Sequence, residues 1–304
     1  PPPPPPPPPF FFQAEDGIRD RSPSRRLGDV YKRQMLFAPG NKYELLQKFS
    51  KIQPDIAIID LEDAVPDSEK QVARENLQKY AQEDKTAATT YVRVNALVSQ
   101  HFEEDIRSIP PQIAGIVIPK VNDASDIERA TQAIERNSVS AKILVGIETV
   151  KGLMSVQDIF GTASVFAAYF GAEDYIHDLG GLRTDGNDEV LFARTQIGIS
   201  SRLFGVPVVD QIVADFSDSE RFMKEAQQAK SLGFTGKLCI HPSQVPLANQ
   251  SFSSTPEEIQ QAIELLKVYD EAVANGTASI VHNGQMVDEA LAKQARRILS
   301  QNND

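Results

Sequence analysis

Ile56-Ala57-Ile58-Ile59-Asp60-Leu61-Glu62-Asp63 decides the fold, because an unbroken apolar run passes directly into a group of carboxylates. A strand with one wet face alternates polar and apolar residues. A strand without that alternation has both faces covered, as in a parallel sheet wrapped by helices. Ile143-Leu144-Val145-Gly146-Ile147-Glu148 repeats the pattern, an apolar run closed by an acid. Outward from these two, short β-rich runs predict strands at residues 36–38, 56–61, 90–95, 115–120, 142–148, 164–170, 206–210 and 237–241. Each is followed by a longer stretch with helical spacing, so the chain reads as successive βα units. Eight such units within about 210 residues suit an α/β fold, the closed (β/α)₈ TIM barrel, whose usual length is roughly 250 residues. An open doubly wound sheet is the alternative. The first strand, however, leads into Pro39-Gly40-Asn41-Lys42, which lacks the G-x-G-x-x-G turn of a dinucleotide site.

Beyond the eighth strand, residues 256–274 have the spacing of an amphipathic helix, with Ile259, Ala262, Ile263, Leu266 and Val268 on its apolar positions. A loop containing Asn275-Gly276 and Asn283-Gly284 follows, then a terminal helix from about 288 to 299. The expected organisation is a barrel domain over 35–250 and a helical extension over 251–304 that docks on a neighbouring copy. Residues 1–34 have no sustained period and are set apart as a leader outside the fold. They begin with nine prolines, and Phe10-Phe11-Phe12-Gln13-Ala14-Glu15-Asp16-Gly17-Ile18-Arg19-Asp20 resembles translated sequencing-adapter sequence, a native polyproline II arm being the other reading.

Composition excludes several classes of function. The chain has 304 residues, 41% of them apolar, enough for a substantial core. Its 31 Lys and Arg against 42 Asp and Glu give a net charge of −11, which repels nucleic acid and anionic lipid. No apolar stretch approaches the roughly 20 residues of a transmembrane helix. One cysteine, Cys239, can form neither an internal disulfide nor a cysteine-rich metal site, which favours a reducing, cytosol-like compartment.

In a barrel of this kind chemistry gathers where the carboxyl ends of the strands meet. The second strand ends in Asp60-Leu61-Glu62-Asp63, the third carries Arg93 and Asn95, and the fourth ends in Pro119-Lys120. The fifth ends in Glu148, and the sixth runs into Gly171-Ala172-Glu173-Asp174. Acids crowded at a narrow mouth call for a cation, and hard oxygen ligands without a histidine pair suit Mg²⁺ better than zinc. Glu148 and Asp174 are the expected ligands, offsetting the ion's charge while leaving positions for substrate oxygens and water. Helix capping is the competing role for each acid taken singly.

Met35-Leu36-Phe37-Ala38-Pro39-Gly40-Asn41 followed by Asp60-Leu61-Glu62-Asp63-Ala64-Val65 resembles the opening of the citrate lyase beta-subunit-like family, within the HpcH/HpaI aldolase superfamily. Val92-Arg93-Val94-Asn95, Ile118-Pro119-Lys120, Ile147-Glu148-Thr149, Phe170-Gly171-Ala172-Glu173-Asp174-Tyr175, Gly236-Lys237-Leu238-Cys239-Ile240-His241-Pro242 and the closing Asn283-Gly284-Gln285-Met286-Val287-Asp288 extend the match in order. The resemblance implies a TIM barrel with Mg²⁺ on Glu148 and Asp174, a substrate-binding arginine at Arg93, and an acid at Asp288 that reaches an adjacent subunit's site. A homo-oligomer, trimer or hexamer, goes with that arrangement. Asp288 is also a good helix start.

The implied activity is cleavage of a short 3-hydroxyacyl thioester, of malyl- or citramalyl-CoA type, into an acyl thioester and a 2-oxo acid. Arg93 would steady the enolate oxygen, and Asp288 would move the proton. Asp60, Glu62, Lys120 and Lys42 complete the expected substrate-binding set, Lys42 toward the carrier's phosphates or else merely solvated at a helix start. Three rivals stand beside it. They are a citrate lyase beta subunit acting on citryl-acyl carrier protein, a thioester hydrolase, and a non-catalytic binding protein.

Overall fold

A computed structural model describes residues 33–83 and 89–300, so the expected leader lies outside the described residues except for Arg33 and Gln34. The chain runs β1 (Gln34–Pro39), α1 (Tyr43–Leu46), α2 (Phe49–Ile52), β2 (Ile56–Asp60), α3 (Lys70–Glu83), β3 (Thr89–Arg93), α4 (Phe102–Arg107) and β4 (Gly115–Ile118). It continues through α5 (Ala124–Arg136), β5 (Lys142–Ile147), α6 (Val150–Met154), α7 (Val156–Gly161), β6 (Val165–Phe170), α8 (Ala172–Leu179), α9 (Asp188–Phe204) and β7 (Val208–Asp210). The last elements are α10 (Ser219–Ser231), β8 (Gly236–Cys239), α11 (Gln244–Phe252), α12 (Pro256–Ala274), β9 (Ile280–His282), β10 (Gln285–Val287) and α13 (Glu289–Ser300).

Strands β1 to β8 pair in sequence order, all parallel, and β8 closes on β1, giving the expected (β/α)₈ barrel. The period of two sorts each strand between two cores. Ile56, Ile58, Tyr91, Val117, Leu144, Tyr169 and Leu238 fill the barrel interior. Their alternates Ala57, Ile59, Val92, Ile116, Ile118 and Val145 pack outward against the helices. This alternation aims the next inward residue of each strand, such as Asp60, Arg93 and Glu148, at the mouth.

Most strands are shorter than the sequence predicts. Lys120, expected to end the fourth strand, lies two residues past β4 with a left-handed φ of 52°. Glu148 and His241 likewise lie beyond β5 and β8. These polar residues directly follow apolar runs but lie in the loops beyond the ladders, so the sequence pattern overshoots these strand ends. The first strand errs the other way: Gln34, assigned to the leader, is buried in β1 and pairs with Lys237.

The extension holds α12 over the predicted 256–274, fixed by a capping box between Thr255 and Glu258 and by Pro256 in the first turn. Its expected loop contains instead a hairpin of β9 and β10 turning at Asn283 and Gly284, both with positive φ. Ala262, Leu266, Tyr269, Val287, Ala292 and Ala295 form a small core of the extension's own, separate from the barrel. Among the described residues no helix is long and apolar enough to cross a membrane.

Candidate active site

A cavity of about 330 Å³ opens at the carboxyl ends of the strands, lined by Asp60, Arg93, Glu148, Tyr169, Gly171 and Asp174 among others. Register builds its first pair. β2 and β3 place Asp60 opposite Arg93, and Arg93 donates to both carboxylate oxygens, from Nε at 2.7 Å and from Nη2 at 2.6 Å. The same two oxygens accept the backbone N–H groups of Glu62 and Ala64 at 2.9 and 3.1 Å. Burial works to raise the Asp60 carboxyl, but Arg93 and those amides outweigh it and hold the group below the usual carboxylate range. Asp60 therefore lines the cavity as the anchor of Arg93, with neither oxygen left over for a ligand. The guanidinium also stands 5.1 Å above the Phe37 ring, which fixes its plane.

Glu62 and Lys120 sit behind this pair. Lys120 Nζ donates to Glu62 Oε1 and Asp63 Oδ2, each at 2.8 Å, and lies 3.8 Å from Asp174 Oδ1. Glu62 Oε2 is 3.3 Å from Arg93 Nη1 without the alignment of a hydrogen bond. Burial pushes Glu62 up to about 7 against the pull of Arg93 and Lys120. Neither Glu62 nor Lys120 lines the cavity; they neutralise and brace the residues that do.

Glu148, one residue beyond β5, is buried inside the mouth. Its Oε1 accepts the hydroxyl of Tyr169 from β6. Its Oε2 is buried with no hydrogen-bond partner among the described residues. Two glycines make room for it. A Cβ on Gly146 would fall 2.3 Å from Glu148 Oε1, and one on Gly171 would fall 2.7 Å from Glu148 Cγ. Burial pushes the carboxyl up to about 8, with Arg93 opposing and the Glu62 and Asp174 carboxylates adding to the rise. Asp174 shares the cavity wall from the first turn of α8.

An orphaned carboxylate oxygen beside a second acid is the arrangement a hard divalent cation satisfies. A Mg²⁺ ion in the cavity would find Glu148 Oε2 and the Asp174 carboxylate as its acidic donors. Among the described residues no group of three His, Cys, Asp or Glu is placed to hold a metal ion. Tyr169 was missed by sequence reasoning. It reads as one more aromatic in a buried strand, and only the pairing of β5 with β6, which sets Gly146 beside Tyr169, brings its hydroxyl to Glu148.

Lys42 and Asp288 are not brought to this cavity within one chain. Lys42 is exposed in the first βα loop. Asp288 accepts the backbone N–H groups of Ala290 and Leu291 at 2.9 and 3.2 Å, capping α13.

Residues 33–242 match the HpcH/HpaI aldolase/citrate lyase family, and residues 189–303 match a carbon–carbon bond lyase family of the TIM-barrel fold. A citrate lyase subunit beta-like protein of Deinococcus radiodurans is 41% identical, over 88% of this chain and 96% of its own length. A mitochondrial citramalyl-CoA lyase of Rattus norvegicus is 29% identical over 89% and 86%. The crystal structure of protein CitE from Mycobacterium tuberculosis, in complex with magnesium, acetoacetate and coenzyme A, superposes with a TM-score of 0.76 at 26% identity, covering 91% of this chain and all of that one.

Proposed function

The chain belongs to the HpcH/HpaI aldolase/citrate lyase family, and from that premise we propose that it is a Mg²⁺-dependent carbon–carbon lyase acting on a short 3-hydroxyacyl thioester. The substrate is of malyl or citramalyl type on coenzyme A, and the products are an acyl thioester and a 2-oxo acid. The observation that carries this reading is Glu148 Oε2, buried and without a hydrogen-bond partner among the described residues, in a cavity it shares with Asp174 and Arg93. Glu148 and Asp174 would hold the Mg²⁺, which would supply Lewis-acid polarisation to the substrate oxygens.

The protein's own groups divide the remaining work. The hydroxyl gives up its proton and becomes the oxo acid's carbonyl as the adjacent carbon–carbon bond breaks. The bonding electrons pass to the thioester as an enolate. Arg93, permanently cationic and held flat by Asp60 and Phe37, donates to the enolate oxygen as its charge grows. Because Asp60 fixes the guanidinium beforehand, little reorganisation is needed when that charge develops. Asp288 of a second copy carries the proton to the enolate carbon, consistent with its lying outside the cavity of its own chain. Lys42, in the first βα loop, meets the carrier's phosphates. Run backwards, the same groups perform a Claisen-type condensation.

Mass spectrometry of the products from malyl-, citramalyl-, 3-hydroxy-3-methylglutaryl- and citryl-thioesters, with and without Mg²⁺, tests the reading. An oxo acid formed together with an acyl thioester, only when Mg²⁺ is present, is the expected result. Free coenzyme A without oxo acid would identify a hydrolase and overturn it. Turnover of citryl-acyl carrier protein but of no acyl-CoA would replace the carrier.

A further inference from the structure

The cavity has two chemically different walls. Strands β2, β3 and β5 and the start of α8 present Asp60, Arg93, Glu148 and Asp174, whereas the side formed by β1 and the ends of β7 and β8 presents Phe37, Ile212, Leu238 and Ile240. The apolar wall is built rather than incidental. Leu238 belongs to the barrel's interior core, Phe37 and Ile212 pack against that core, and the Phe37 ring meets Tyr169 edge-on at 6.1 Å.

The carbinol carbon of the substrate class proposed above is tetrahedral. It bears the hydroxyl, a carboxylate, the methylene that leads to the thioester, and a fourth substituent. Desolvated oxygens need partners, so the hydroxyl and carboxylate belong on the polar wall, and the thioester oxygen belongs toward Arg93. The direction left for the fourth substituent is the apolar wall.

We propose that Phe37, Ile212, Leu238 and Ile240 make the enzyme select a small, uncharged alkyl group at this position, so that the oxo acid released carries a short alkyl chain. This rests on the lyase reading. A carboxymethyl group, the substituent of a citryl thioester, would press a second carboxylate against four hydrocarbon side chains. The cation lining the described cavity is Arg93, which already holds Asp60 bidentately and, in the proposed reaction, also serves the thioester oxygen. Lys120 is taken by Glu62 and Asp63. An anion left unpaired there is rejected far more strongly than a missing methyl, because hydrocarbon cannot replace its lost hydration. A single methyl in an apolar pocket typically changes kcat/KM by about 10- to 200-fold.

The test measures kcat/KM of the full chain with Mg²⁺ on matched coenzyme A thioesters that differ only in the fourth substituent: hydrogen, methyl, ethyl or carboxymethyl. Methyl is expected to exceed hydrogen by about 10-fold or more, and carboxymethyl by about 100-fold or more. Ile240 is 39% exposed, so Ile240→Lys places a cation in the wall without opening the core. That variant should raise the ratio of carboxymethyl to methyl turnover by about 10-fold or more. Equal or preferred turnover of carboxymethyl by the parent protein would overturn the proposal, as would an Ile240→Lys variant that scales all four substrates alike. A complete lack of oxo acid from every thioester would instead remove the lyase reading, and the selection with it.

Discussion

Replacing Gly171 with alanine puts a methyl where Glu148 already lies. The backbone raises no objection, since φ at 171 is −99°, open to any L-residue. The new Cβ would stand 2.7 Å from Glu148 Cγ and 3.1 Å from its Cδ, so reaching an ordinary contact of 3.4 Å requires a shift of about 0.7 Å. Glu148 has little room to retreat. Its carboxylate rests on the bare backbone of Gly146, and Tyr169 holds Oε1. Displacement of that size at a metal ligand is expected to weaken Mg²⁺ binding by about 10- to 100-fold, and overpacking should cost about 1–3 kcal/mol of stability. Calorimetric Mg²⁺ titration above about pH 8, where Glu148 is ionised, gives the first quantity, and thermal unfolding in a chelator gives the second. A folded Gly171→Ala protein that binds Mg²⁺ within about twofold of the parent would refute the assignment of Glu148 as a ligand.

Three other expectations follow from the same geometry. Glu148 and Glu62 are raised to about 8 and about 7 by burial, so the metal-free native state binds more protons than the unfolded chain from about pH 4.5 up to those values. Its stability should therefore fall as pH rises through that window, while Mg²⁺ affinity rises and levels off above about pH 8; denaturant titrations with chelator or Mg²⁺ check both, and metal-free stability that climbed with pH would contradict them. Asp60→Asn removes the bidentate partner of Arg93 and should lower kcat/KM by about 10²-fold while changing Mg²⁺ affinity less than about threefold, a parallel loss of both being the contrary result. Mixing Asp288→Asn subunits with Glu148→Gln subunits should restore activity that neither has alone; confirmed mixed oligomers that stay inactive would remove Asp288 from the reaction.

Much of the barrel was legible before folding because it is written in local patterns. Apolar runs without alternation, such as Ile56 to Ile59, require cover on both faces, and their acidic ends mark where the cover opens. Asp60, Arg93, Glu148 and the Asp174 that follows the sixth strand could be picked out as polar residues at the barrel's carboxyl end, since its polarity fixes which end carries chemistry, but their roles came from the family resemblance. Strand limits were less legible. Lys120 and Glu148 follow closely on apolar runs whose ladders have already stopped, and the hairpin at residues 280–287 had a turn signal but no long apolar run.

What the sequence by itself determined is therefore the fold class, the parallel order and the set of polar residues at the mouth, all properties of short segments and their succession. What only the tertiary structure decided is how those residues pair. Asp60 is consumed by Arg93, Tyr169 reaches Glu148, Gly146 and Gly171 vacate the space it fills, and burial lifts its carboxyl toward 8. Hydrophobic periodicity specifies a face but not a neighbour, whereas the register of one strand on the next sets the distances and the desolvation on which the chemistry depends.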